Sequence, residues 1–422
     1  MRGCQDHANR LWQNSGQKRL VRKMMNKGVL TGIRVLDLSR FQSGPVGGML
    51  LADMGAEVIR IEEPEGAPDR SWGLLGPDGE TLSYKIVGRN RMGITLRLNK
   101  PKGLKILKEL VKKSDVVLHN FTPGTSVADK LSYEKLKEVN PAIIVAAISG
   151  FGQNGPDAQL VCFDHIAQAR SGGMILTGFP GDPPLKTTIT HNDIGAGCYA
   201  ALGILMALYH RERTGKGQFI DVSLFDVAFF ATQCMGTLLL YKVYGEIRRQ
   251  VGNRGFHSYL GCFQAKDGWI FLSGTTNPIW ERLARAIGRE DMAKDPKFNQ
   301  NDMVRFDHAD LIDPVIQEWI GQRTVAEVMD VLKAARVPCS VVNTIDKLED
   351  DPQVAARGMI VNIDYPGLGS LPVPGPPIKL SLTPIEIKGR APQIGEHNKE
   401  IYCELLGYRE EELNKLREED II

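Results

Sequence analysis

The sequence has no C-x-x-C pair and no tight cluster among its seven cysteines, which stand at 4, 162, 198, 234, 262, 339 and 403. That spacing offers neither a zinc site nor a disulfide framework and fits a reducing, cytoplasmic setting. H-E-x-x-H, G-x-x-x-x-G-K-[ST] and G-x-S-x-G are all absent, so zinc hydrolysis, P-loop chemistry and a nucleophile elbow lack their signatures. Net charge is small, +2 from 52 basic and 50 acidic residues, which leaves no electrostatic footprint for nucleic acid. No apolar run reaches the ~18 residues that cross a bilayer. The nearest, Ile194 to Tyr209, is shorter and rich in small residues, as in a buried helix. No metal, nucleic-acid or membrane partner is expected.

What is present is ordinary globular composition, 42% hydrophobic and 24% charged over 422 residues. That length exceeds one core of roughly 100–200 residues, so two domains are expected. Residues 1–28 carry Arg2, Arg10, Lys18, Arg19, Arg22, Lys23 and Lys27 against one acid, Asp6. They read as a leader, either disordered or produced by a misassigned start, since Met24 and Met25 precede the first strand-like run; mitochondrial targeting is the alternative.

Ile33–Ser39, Glu57–Glu62, Asp115–His119 and Ala142–Ser149 read as strands, with helical spacing between them at Lys102–Ser114 and Tyr133–Val139. Such alternation predicts a parallel, doubly wound α/β sheet. From about Asp221 the pattern changes to a long apolar stretch and then a smaller mixed α+β domain. The expected division is 29–225 for the first part of the large domain, 226–335 for a linker helix and the small domain, and 336–422 for a linker and a part returning to the large domain. Gly150 to Gly155 matches G-x-G-x-x-G after a strand, but Pro156 follows at once and no clean helical stripe succeeds it, so a dinucleotide turn is not supported.

Three polar residues stand out. Gln42 lies in RFQSGP at the exit of the first strand, where ligands bind in open parallel sheets. Asp164 lies in CFDHIAQ, and Asp193 in HNDIGAG just before an apolar helix. Each also has a structural reading: Asp193 as a helix N-cap, Asp164 as a partner of Arg170, and Gln42 as a cap of the helix after Pro45.

The chain resembles the class III coenzyme A transferases, the CaiB/BaiF family, from about Leu30 to Tyr408. The carriers are LDLSRFQSGPVGGMLLADMGAEVIRIE, NFTPG at 120–124, NPAIIVAAISGFGQNGP, FDHIAQARSG, ERTGKGQFIDVSLFD, DPQVAARGMIVNIDYPGLG, VPGPPIKLS and IGEH. The resemblance implies an acyl-CoA donor and a carboxylic acid acceptor, with CoA as a substrate thioester and no permanently bound cofactor. It implies that Asp193 is the nucleophile that becomes an aspartyl-CoA thioester, Asp164 the helper acid and Gln42 the orienting amide. Trp72, Asn120, Phe121, Lys100 and the loop residues Gly252, Asn253, Gly255 and His257 are the implied substrate and CoA contacts. It implies an interlocked, ring-like homodimer as well. Glu63 and Ala128 replace basic residues common in the family, which makes Lys100, Lys102 and Lys130 candidates for the CoA phosphates. An α-methylacyl-CoA racemase would need a histidine before Asp164; Phe163 stands there, and His165, one residue beyond the acid, should point elsewhere. An inactive CoA-binding protein is disfavoured by retention of Gln42, Asp164 and Asp193.

Overall fold

The structure, a computed structural model, describes residues 28–422, so the leader lies, but for Gly28, outside the described residues. Two compact units are present: residues 28–171, 188–235 and 353–422 form the first, and 172–187 with 236–352 form the second.

In the first unit the chain runs through β1 (Arg34–Asp37), α1 (Ser43–Asp53), β2 (Glu57–Glu62), β3 (Met92–Thr95), α2 (Pro101–Lys112), β4 (Val116–His119), β5 (Ile144–Ser149), α3 (Asp164–Arg170), α4 (His191–Thr214), β6 (Phe219–Ser223) and α5 (Leu224–Cys234). The six strands are parallel in the order 3-2-1-4-5-6. Strand order reverses between β1 and β4, so the loops leaving their carboxyl ends open the crevice where such sheets bind ligands. β4 and β5 are buried along their whole length, which is why their sequences are continuous apolar runs.

Alternation along each strand feeds two cores. Val35, Val58, Val116 and Ala146 face a layer built with α1 and α4, while Leu36, Ile59, Val117 and Val145 face α2 and the C-terminal residues Ile401, Tyr402, Leu413 and Ile421. α2 begins with Pro101 at its first position and buries Ile106, Leu107, Leu110 and Val111 along one stripe.

α1 and α4 cross at Gly47 and Gly197 with no side chain between them. A Cβ on Gly197 would stand 2.6 Å from the Ser43 carbonyl oxygen and 2.9 Å from the Gly47 nitrogen. Because Asp193 lies one turn before Gly197, this close crossing brings the start of α4 beside the start of α1.

In the second unit β7 (Leu260–Gln264), β8 (Trp269–Ser273) and β9 (Cys339–Val341) form an antiparallel sheet. Its core surrounds Trp280, whose indole N–H donates to the Met292 carbonyl at 3.2 Å.

The sequence boundaries need three corrections. α5 packs into the first core through Leu224, Val227 and Ala228, so the first part runs to 235 and not 225. Residues 172–187 belong to the second unit. Cys339–Val341 pairs with β8 and does not return to the large sheet, which moves the second boundary from 335 to 352. A strand's pattern of side chains reports burial but not its hydrogen-bonding partner. β6 was hidden in the same way, inside the stretch where the pattern changes. Near the C-terminus Glu400–Leu405 forms a π-helical turn, ended soon after by Gly407 at φ 84°.

Gly197→Val should lower the unfolding free energy by about 1–3 kcal/mol through overpacking of the crossing. Urea unfolding midpoints measure this; an unchanged midpoint would show that the helices separate freely.

Candidate active site

The first four N–H groups of a helix need partners from outside it. In α4 the N-cap residue, Thr190, gives no side-chain bond. The carboxylate of Asp164 serves instead: its Oδ2 accepts the N–H of Asn192 at 2.8 Å and of Asp193 at 3.1 Å. Its Oδ1 accepts the side-chain amide of Gln168, one turn further along α3. Asp164 is buried, and these three donors satisfy an ionised carboxylate there.

Asp193 is therefore not the cap of its own helix. It lies in the first turn, half-buried, and its carboxyl has no hydrogen-bond partner among the described residues. Burial first, and the neighbouring Asp164 charge second, push its pKa from 3.8 up to about 7. The other two structural readings fail as well. Arg170 pairs with Asp157 at 2.8 Å and not with Asp164. Gln42 precedes α1 but makes no side-chain cap bond; its backbone carbonyl accepts the N–H of Val46. The Gln42 amide thus has no protein partner among the described residues.

The loop carrying Gln42 is fastened from β4. Asn120 accepts the Arg40 N–H at 2.8 Å and donates to the Arg40 carbonyl at 2.7 Å. Gly44 leaves no room for a side chain, since a Cβ there would overlap Ser39. The loop then turns through Phe41 at φ 63°, a left-handed conformation that is costly for a bulky residue.

These elements enclose a cavity of about 480 Å³ lined by Gln42, Trp72, Asn120, Asp164 and Asp193, with Phe41, Phe163, His165, Cys162 and Thr190 among the rest. Five of the residues singled out in the sequence thus meet in one space. His165 corrects an expectation: it lines the cavity, its ring stacked on Phe163 at 6.2 Å. Asp164 opens a helix, so successive side chains fan out about 100° apart and do not alternate as in a strand. Cys162 is held inert as a nucleophile, burial pushing its thiol up to about 11.

Other expected contacts lie elsewhere. Phe121 does not line the cavity; it packs against His119 and under the Arg40 guanidinium, 5.0 Å from its ring centre. Lys100 bonds the Glu419 and Asp420 carbonyls and pairs with Asp420 at 3.2 Å. Lys102 pairs with Glu419 at 2.7 Å and Lys130 donates to the Leu98 carbonyl. All three lysines fasten the chain to itself, which argues against each as a free phosphate ligand. Glu63 faces Arg97 at 3.8 Å, its pKa raised by burial, and Ala128 lies in a short exposed helix. Gly252, Asn253, Gly255 and His257 belong to the second unit, where Asn253 lines a separate pocket with Arg254, Phe179 and Asp313. No group of acids, cysteines and histidines suited to a metal occurs among the described residues. Gly150–Gly155 leads into turns, and the next helix is α3 at Asp164, so it is not a dinucleotide turn.

Gln168 and Phe41 went unnoticed in the sequence. The Asp164–Gln168 spacing of four was a legible signal for a helical pair; nothing local announced Phe41.

The profile of CoA-transferase family III matches residues 30–398. The chain belongs to CoA-transferase family III. It is an enzyme of that class, similar to the succinyl-CoA–D-citramalate CoA-transferase of Chloroflexus aurantiacus, with 35% identity over 93% of this chain and 98% of the relative. It is 32% identical to the formyl-CoA:oxalate CoA-transferase of Streptomyces coelicolor over 94% of this chain and 100% of the relative. Among solved structures a CaiB/BaiF family protein from Brucella suis superposes with a TM-score of 0.79 at 31% identity, covering 90% of this chain and all of that one. Family III enzymes act on CoA thioesters, which agrees with a cavity holding two carboxylates and an unpaired amide.

The raised Asp193 pKa means that the folded protein binds this proton more tightly than the unfolded chain does. Its stabilising contribution is full below the ordinary value of 3.8 and is lost as pH rises through about 7. Asp193→Asn, which cannot ionise, should match the wild type in thermal midpoint at low pH and exceed it by a few degrees at pH 8. Calorimetric midpoints at the two pH values test this; equal midpoints at both would contradict an uncompensated carboxylate.

Proposed function

We propose that this family III enzyme moves CoA between carboxylic acids through a covalent aspartyl-CoA thioester on Asp193. The observation that carries the reading is the Asp193 carboxyl itself, on the cavity wall without a hydrogen-bond partner among the described residues, while Asp164 takes the N–H groups of its helix. An oxygen unengaged in hydrogen bonds keeps its lone pairs for attack, and a pKa near 7 makes it a better nucleophile than an ordinary aspartate while leaving much of it ionised at neutral pH.

The steps balance without ATP or an oxidant. The Asp193 carboxylate adds to the donor thioester carbonyl, the C–S bond breaks and CoA leaves as thiolate, giving a mixed anhydride. The thiolate adds to the aspartyl carbonyl of that anhydride, the C–O bond breaks and the donor acid departs as carboxylate. The acceptor carboxylate then attacks the aspartyl thioester, and the same two steps in reverse return acyl-CoA and free Asp193. The Gln42 amide is a donor available to the oxyanion formed at each addition. Relatives named for succinyl-CoA and formyl-CoA support an acyl-CoA donor and a carboxylate acceptor.

His165, by lining the cavity, favours a second reading, racemase-like proton exchange with an acid-base pair. Asp164 fits that role poorly, because both its oxygens are already engaged. After incubation with a panel of acyl-CoA thioesters, intact-protein mass spectrometry should show a hydroxylamine-sensitive CoA adduct that Asp193→Ala abolishes. A variant that turns over normally would exclude Asp193 as nucleophile. Deuterium entering the α-carbon of a 2-methylacyl-CoA in heavy water without an acceptor acid would establish exchange instead, and neither result would leave a CoA-binding protein.

The proposed assembly is a homodimer of interlocked rings. Tyr199, Leu202, Met206 and Tyr209 recur along one side of α4 and are all exposed, an apolar stripe of the kind that marks an interface. Sedimentation should give a dimer, and a monomer of full activity would refute it.

A further inference from the structure

The cavity's charges all have one sign. Among the described residues Asp164 and Asp193 line it, no lysine or arginine does, and His165 is the one lining side chain able to carry positive charge. Both oxygens of Asp164 are engaged by its three donors, so anything that enters meets a carboxylate fixed in place.

Beside the polar Gln42, Ser43, Asn120, Thr122, Ser149 and Thr190, much of the remaining surface is apolar. Phe41 stands edge-on to Trp72, with ring centres 5.7 Å apart, and edge-on to Phe163 at 5.8 Å. Ile148, Val161 and Leu224 add aliphatic surface to the lining. Holding Phe41 at φ 63° carries strain, and such strain persists only where the surroundings over-determine it. Here a Phe41 ring seated between two other aromatic rings does so. Trp72 and Phe163 both line the cavity and keep 62% and 41% of their full surface exposed. That is apolar area left for a ligand to cover.

An acid whose body bears a second carboxylate would bring another negative charge beside Asp164 with no lysine or arginine among the described lining residues to meet it. An acid with an apolar body would exchange water for contact with these rings. Resting on the transfer reading, we infer that the site selects a carboxylic acid with an uncharged apolar body, aromatic or branched, and that Phe41, Trp72 and Phe163 determine that selectivity.

Binding can be measured apart from catalysis with thioether analogues, which hold no carbonyl for Asp193 to attack. Calorimetry on the wild-type protein with S-benzyl-CoA, S-isobutyl-CoA and S-carboxypropyl-CoA should rank the first two tighter than the third by about tenfold or more. Trp72→Ala and Phe163→Ala should each weaken S-benzyl-CoA by about tenfold while changing S-methyl-CoA little. In turnover the same variants should raise KM for a benzoyl donor with kcat largely kept. Tighter or equal binding of the carboxypropyl analogue would overturn the inference, as would variants that weaken all analogues equally. Because the analogues cannot react, loss of the Asp193 adduct would sink the transfer reading without altering this ranking.

Discussion

One carboxylate organises the centre of this protein. Asp164 accepts two backbone N–H groups at the start of α4 and so ties α3 to α4 across 28 residues of intervening chain. A helix end buried without partners would be destabilising, and a buried aspartate without donors more so; together each satisfies the other. Two properties of Asp193 follow from that bond. Its carboxyl is relieved of the capping role it would otherwise fill, and it lies beside a fixed negative charge that helps raise its pKa. The reactivity proposed for Asp193 is thus a by-product of how a helix terminus is satisfied.

The remaining architecture delivers groups to that point. Parallel strand order opens a crevice between β1 and β4. Asn120, at the end of β4, grips the Arg40 peptide and sets the loop that presents Phe41 and Gln42. The glycine crossing of α1 over α4 closes the remaining distance, since any side chain at Gly197 would collide with the backbone of α1. Buried ion pairs such as Arg91 with Asp37, at 2.6 Å, lie beneath the same loop, and breaking one partner of such a pair leaves an uncompensated buried charge.

Legibility in the sequence followed the range of the interaction. β1, β2, β4 and β5 were evident because runs such as IIVAAIS report burial on both faces. β6 was not, and β9, strand-like at Cys339 to Asn343, was legible as a strand but not in its sheet, because a short strand declares its sheet only through the partner it bonds. Gln42, Asp164 and Asp193 were visible as polar residues in apolar or loop settings, yet their local readings as caps and as a partner of Arg170 were all wrong in detail. Lys100, Lys102 and Lys130 read as free cations, but each meets acids or carbonyls distant in sequence or in another turn of the fold. His165, expected to point elsewhere, lines the cavity because a helix begins at Asp164 and its successive side chains fan out around the axis.

By itself the sequence determined the class of fold, through periodicity and continuous apolar strands, and the family, through an ordered series of motifs along nearly the whole chain. Those are properties of nearest neighbours and of order along the backbone. Only the tertiary structure decided which carboxylate caps α4 and which is left without a donor among the described residues, which lysines are spent on the C-terminus, and that Phe41, Trp72 and Phe163 meet on the cavity wall. Each of these depends on what stands within hydrogen-bond or Coulomb range in space, and residues 28 to 320 positions apart in the chain supply it.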